Sequence, residues 1–202
     1  MKKTTNELIQ KGLSKAISYE DYRSKVSQLA EDGKSTGPEQ TEALANYTLL
    51  NDRRMKRFDK TVKIPSETVS KIESIAEPMT LLVLTESWCG DAAPTLPVMN
   101  KIAEINEHIG FQVLLRDENT ELMNRFLTNR AMSIPKLILL DANNEVLDTW
   151  GPRPKAAAKL VMEHKEKHGE LLPEIKEEIQ LWYNQDKGQT TLQEIVKLLP
   201  VQ

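Results

Sequence analysis

Read for the spacing of its apolar positions, the chain divides into a helical beginning, a middle where short apolar runs alternate with helical stretches, and a helical end. Residues 4–30 carry helical spacing in two pieces, with Ser18 at the N-cap of the second and Tyr22, Val26 and Leu29 along its stripe. The stretch EDGKSTGP at 31–38 breaks the pattern. Helical spacing resumes over 40–59 through Leu44, Tyr47, Met55 and Phe58. A short helix is expected from Pro65, with Ser66 as its cap and Val69, Ile72 and Ile75 as its buried face. At 81–84 the residues are Leu, Leu, Val and Leu, a continuous apolar run of strand length that reads as a strand covered on both faces.

That run places itself at the centre of a sheet. After it a helix is expected to begin just beyond Cys89, followed by a second apolar strand over 111–116, and a long helix between two strands implies a parallel pair. Residues 119–128 read as a further short helix with Leu122, Met123, Phe126 and Leu127 to bury. Strands over 136–140 and 146–150 flank Asp141, Ala142, Asn143 and Asn144, turn chemistry that makes the two an antiparallel hairpin. Gly151 and Pro152 end it. Helices follow over 154–168, over 173–184 with Leu172, Ile175, Ile179 and Trp182 on one stripe, and over 191–199. The whole reads as an α/β core over 65–168, with a mixed sheet of about four strands. Helical extensions over 1–64 and 169–202 have apolar stripes that need the core as partner.

Composition narrows the function classes. A chain of 202 residues with 39% hydrophobic and 28% charged side chains is that of a soluble globular protein. A net charge of −3 gives no general drive toward nucleic acid or an anionic membrane, and neither is expected as a partner. Lys2 and Lys3 have no apolar stretch behind them, so no signal peptide or spanning helix is expected and the cytoplasm is the expected compartment. The chain has one cysteine, which cannot close an internal disulfide, so any redox chemistry needs a second thiol from another molecule.

Cys89 falls at the expected strand-to-helix corner. Unpaired helical N–H groups and the helix dipole favour negative charge there, and the thiolate is the reactive form of cysteine. Asp91 works against this from two residues away, unless it caps the helix. Without further context a single cysteine reads more readily as a small buried apolar residue. Glu86, on the turn, reads as a solvated carboxylate without a catalytic role. The basic cluster Arg53, Arg54, Lys56, Arg57 and Lys60 reads most simply as a charged outer face, with anion binding as the alternative. His164 and His168 stand at the spacing of two metal ligands but have no evident third, and no metal is expected.

From residue 80 onward the expected order is strand, helix, strand, helix, strand, strand, helix. Together with Trp88, Cys89 and Gly90 this resembles the thioredoxin superfamily, which opens its active-site helix with Trp-Cys-Gly. Pro97 falls where that family kinks the helix, Ser133, Ile134 and Pro135 match its cis-proline site, and Gly151 stands near a glycine often seen there. More narrowly, Trp88-Cys89-Gly90-Asp91-Ala92 looks like a bacterial branch with a helical N-terminal extension. Two departures stand out. The family's second cysteine would fall at Ala92, and its buried aspartate at Val83.

The resemblance implies Cys89 as an exposed nucleophile with some reactivity, with Trp88, Gly90, Asp91, Ile134 and Pro135 bordering the substrate. Lacking a resolving cysteine, such a protein would form a mixed disulfide with a disulfide-containing protein or small thiol and be released by an external thiol such as glutathione, with no resident cofactor. A redox-silent binding module on the same fold and, more weakly, a thiol peroxidase are the other readings. Oligomeric state does not follow from the sequence.

Overall fold

A computed structural model describes residues 3–170 and 172–201. Helix α1 (Thr5–Leu13) opens on a reciprocal cap: Thr4 Oγ1 accepts the Glu7 N–H at 3.2 Å, and the Glu7 carboxylate accepts the Thr4 N–H at 2.7 Å. Strand β1 (Ile17–Ser18) has two residues, and Ser18 then caps α2 (Tyr19–Glu31) by accepting the Asp21 N–H. Thr41 caps α3 (Glu42–Thr61) in the same way. Helix α4 (Ser66–Glu73) departs from the expected cap. Pro65 holds the N-cap position, Ser66 is already helical, and no side chain bonds the first amides.

The sheet then forms from β2 (Met79–Thr85), β3 (Ile109–Leu115), β4 (Lys136–Leu140) and β5 (Val146–Trp150). Its order is β1-β3-β2-β4-β5. β2 runs parallel to β3 across helix α5 (Ala92–Ala103) and antiparallel to β4, and β4 and β5 form the expected hairpin. The hairpin turn is closed by Asp141 Oδ1, which accepts the Asn143 and Glu145 N–H groups at 2.8 Å each. One strand more than the expected four is present, because Ile17 and Ser18 pair with Val113 and Gln112 on the outer edge. Two residues are too few to show an alternating pattern.

The helix expected over 119–128 shortens to α6 (Thr120–Met123). Asn129 and Arg130 both take positive φ, and Thr128 and Ala131 exchange two backbone hydrogen bonds across them at 3.0 Å, a tight turn that no helix can pass through. Leu122 and Met123 are buried as expected, whereas Leu127 is left exposed. Helices α7 (Lys155–His168), α8 (Pro173–Asp186) and α9 (Gln189–Val196) complete the chain.

Buried apolar side chains from Leu8 to Leu199 form one hydrophobic cluster, so both helical ends share the core of the sheet. Leu81, Leu82, Val83 and Leu84 are wholly excluded from solvent; each such side chain stabilises by roughly 1.5–3 kcal/mol. α3 packs on α2 and α5, and α7 on α8. The α3 stripe divides in function: Met55 and Phe58 enter the core, while Leu44 and Tyr47 border a cavity. On α8, Ile175, Ile179 and Tyr183 are buried and Trp182 only partly so.

Candidate functional site

The chain leaves β2 at Thr85 and enters α5 at Ala92, and the residues between are fixed from outside the sheet. Ser87 is clamped by the break that follows α2. Its N–H donates to Thr36 Oγ1 at 2.8 Å, and its Oγ accepts the Thr36 N–H at 2.9 Å. From α3, Thr48 Oγ1 lies 2.8 Å from Ser87 Oγ, and Asn51 Nδ2 donates to the Ser87 carbonyl at 2.9 Å. The stretch 31–38, which in the sequence is only a helix breaker, thus reaches back to hold the turn before Cys89. These polar groups are buried and satisfied, an arrangement that holds one backbone path.

Cys89 follows at the floor of a cavity of about 440 Å3 that it shares with Trp88, Gly90, Asp91 and Ile134. The antiparallel register that sets Leu84 opposite Lys136 brings Pro135 alongside this corner. The Ile134–Pro135 peptide is cis, and the Cys89 thiol donates to the Ile134 carbonyl at 3.2 Å. Gly151, at φ +114, lies against Pro135 from the far side.

The expected exposure of the sulfur is corrected, and the balance between the helix N–H groups and Asp91 falls against the thiolate. Cys89 is 5% exposed, and burial pushes its thiol up to about 12, with the Asp91 charge adding to the rise. The N–H groups of Ala92 and Asp91, and the charge of Arg153, pull the other way without prevailing. The helix terminus therefore acts as the sequence suggested, but desolvation outweighs it. Ala92 and Val83 are both buried and offer neither sulfur nor carboxylate.

Asp91 occupies the N-cap position of α5 yet makes no cap hydrogen bond, contrary to the capping alternative. Its carboxylate lies 2.8 Å from Arg153 Nε and accepts a hydrogen bond from the Tyr183 hydroxyl at 3.0 Å. The Arg153 Nε–H is not aligned on the carboxylate, so that contact is charge on charge. Burial raises the Asp91 carboxyl, and Arg153 and Tyr183 oppose the rise. Arg153 itself is raised: burial works downward on it, and the Asp91 charge prevails.

Helix α8 closes the site. Gln180 Nε2 donates to the Gly90 carbonyl at 3.1 Å, and Lys176 Nζ reaches the Tyr47 hydroxyl of α3 at 3.1 Å. On the opposite side the Arg116 guanidinium lies 5.0 Å over the half-buried Trp88 ring. Arg153, Tyr183 and Gln180 are missed by sequence reading. Tyr183 lies one residue beyond the stripe position assigned to Trp182, and nothing in linear order ties α8 to Cys89.

Glu86 is not the solvated carboxylate expected of a turn residue. It is fully buried, with Oε1 accepting the Asp117 N–H at 2.8 Å and Oε2 without a partner. Burial raises its carboxyl, and the nearby Thr36 side chain and the Asp117 N–H work against the rise. The folded state therefore holds the Glu86 proton more tightly than the unfolded chain, and stability falls as pH rises from about the ordinary 4.5 through the raised folded value. Glu86→Gln keeps the acceptor and removes the charge. Thermal and urea unfolding at pH 7.5 should show it more stable by about 1 kcal/mol, with the gain shrinking at pH 4; a less stable variant at pH 7.5 would contradict this account.

The basic cluster separates by direction. Lys56 pairs with Asp52 at 2.8 Å, and Arg57 bonds Asn184, but Arg54 turns into the cavity beside Cys89. The rings of His164 and His168 lie 4.5 Å apart, tilted by 31°, and no group of three or more metal-ligating side chains is found among the described residues. No helix among them is long and apolar enough to cross a membrane.

A single cysteine at a strand-to-helix corner, facing a cis-proline across a mixed sheet with parallel and antiparallel neighbours, defines a thioredoxin-like site. The sequence matches the Thioredoxin family over residues 37–168, and the chain belongs to that family. The match takes in α3, whose Asn51 and Arg54 reach the site. No curated protein matches. A Pseudomonas aeruginosa protein of unknown function is similar in structure at TM-score 0.57 and 18% identity, over 74% of this chain and 83% of that one. An HIV epitope-scaffold is similar at 0.56 and 17%, over 90% and 97%. At these identities the likeness is one of fold.

Proposed function

We propose that the protein is a monothiol redox protein of the cytoplasm, from the bacterial branch that Trp88-Cys89-Gly90-Asp91-Ala92 resembles. Cys89 is the nucleophile, and Trp88, Gly90, Asp91, Ile134 and Pro135 border the substrate. One observation carries this reading: Cys89 Sγ lies 3.2 Å from the Ile134 carbonyl on the floor of a cavity large enough for a small molecule. Cys89 sulfur forms the new S–S bond, the substrate S–S bond breaks, and the Cys89 proton ends on the departing thiolate. An external thiol such as glutathione then attacks the mixed disulfide and restores Cys89, as its thiolate becomes the new disulfide partner.

The neutral resting thiol fits a site that waits for its substrate. Attack draws on the N–H groups of Ala92 and Asp91, which already favour the thiolate. Incubation of the native protein with hydroxyethyl disulfide at pH 8 should add one mercaptoethanol by mass, reversibly with reduced glutathione, and Cys89→Ser should add none. A redox-silent binding module is the second reading, and the thiol held near 12 favours it. If only the denatured protein acquired the adduct, the exchange reading would fall and the module would stand.

A further inference from the structure

The wall of the Cys89 cavity is more cationic than a disulfide alone requires. Arg54, Arg116, Arg153 and Lys176 line it, against Asp91 as the lining carboxylate. Two of the four are already matched: Arg153 by Asp91 at 2.8 Å, and Arg116 by Asp117 at 2.7 Å. The other two are not. Arg54, half-buried on α3, donates to the neutral Asn51 amide at 3.1 Å, and Lys176 donates to the Tyr47 hydroxyl. Neither has a carboxylate within ion-pair distance among the described residues. A partly desolvated guanidinium without a counter-charge is costly to keep. Burial and the neighbouring Arg57 lower Arg54, and Tyr47 and the charge of Asp91, which lies beyond ion-pair distance, only partly oppose them.

We infer that the cavity binds a small thiol or disulfide bearing carboxylate or phosphate groups, with Arg54 and Lys176 as the anion-recognising residues and Cys89 beneath them. This rests on the exchange reading for its chemistry, but the binding does not. The two unpaired cations come from α3 and α8, so the anion would bridge the two helices that wall the sulfur and complete a charge pattern the protein leaves open. The volume of about 440 Å3 suits a ligand of tripeptide size. A bidentate guanidinium on the wall gives such an anion a fixed orientation, which a lone lysine would not.

The test separates binding from exchange by using unreactive probes with Cys89→Ser protein. S-methylglutathione, its dimethyl ester and S-methyl phosphopantetheine are titrated by calorimetry at 20 and 300 mM salt. At least one anionic probe should bind, its affinity falling with salt. If the carboxylate probe binds, its dimethyl ester should bind at least tenfold more weakly. Arg54→Met and the exposed Lys176→Ala should each weaken the anion by at least fivefold, and Arg54→Lys should recover part of the loss. Binding of the ester as tight as that of the diacid, no binding by either anionic probe at millimolar concentration, or an unchanged affinity in both variants would each overturn the inference. A bound probe without any adduct from hydroxyethyl disulfide on the native protein would leave the pocket and remove the exchange reading instead.

Discussion

Gly151→Ala is expected to lower the unfolding free energy by about 3 kcal/mol or more, the largest stability loss of any single methyl addition at the site. Gly151 sits at φ +114, which side-chain-bearing residues rarely adopt, and a Cβ there would stand 2.2 Å from the Pro135 carbonyl oxygen. That atom is backbone and cannot rotate away. Relief requires the Pro135 segment to move, and with it the Ile134 carbonyl that accepts the Cys89 thiol at 3.2 Å. Urea unfolding should therefore show the loss, and alkylation of Cys89 in the still-folded variant should accelerate because its acceptor has shifted. A loss under 1 kcal/mol would show that the contact is far softer than its geometry.

The long apolar runs carried most of the fold in linear order, and the helical caps carried part of the rest. The Leu-Leu-Val-Leu run at 81–84, the hairpin turn at 141–144 and the Ser18 cap all form where their local chemistry put them, because each is decided by neighbours within a few residues. β1 and the turn at 128–131 were illegible for the opposite reason. One is too short for a period, and the other depends on positive φ at Asn129 and Arg130, which neither residue demands.

At the site, the residues close to Cys89 in sequence were legible and their electrostatic state was not. Motif and spacing locate the sulfur at a helix terminus, but desolvation depends on what is laid over it. The surroundings come from remote parts of the chain: Arg54 of α3 and Gln180 of α8 line the same cavity, and Tyr183 bonds the neighbouring Asp91. The same remoteness hid the burial of Glu86, because Thr36 and Asp117 close over it from separate parts of the chain.

Asp91→Asn should make the resting thiol measurably more reactive. Burial contributes most to holding Cys89 near 12, and the Asp91 charge comes next. Replacing that carboxylate by an amide removes the negative neighbour and also leaves the Arg153 guanidinium without its counter-charge. A nearby cation favours the thiolate, so both changes act on the sulfur in one direction. Iodoacetamide should modify Cys89 at pH 8 at least ~10-fold faster than in the wild type, the effect of one pH unit in thiol acidity, and the midpoint of the pH–rate profile should move down. Stability should fall, since a counter-charge is lost. Arg153 retains 28% side-chain exposure, so the cost should be roughly 1–3 kcal/mol rather than the 3–5 of a fully buried broken pair. Loosening alone would also speed alkylation, and Tyr183→Phe separates the two effects. It removes the hydroxyl that bonds Asp91 at 3.0 Å while keeping the carboxylate, so it should destabilise without moving the profile toward lower pH. If both variants shifted the profile equally, access would govern Cys89 and the Asp91 charge would not.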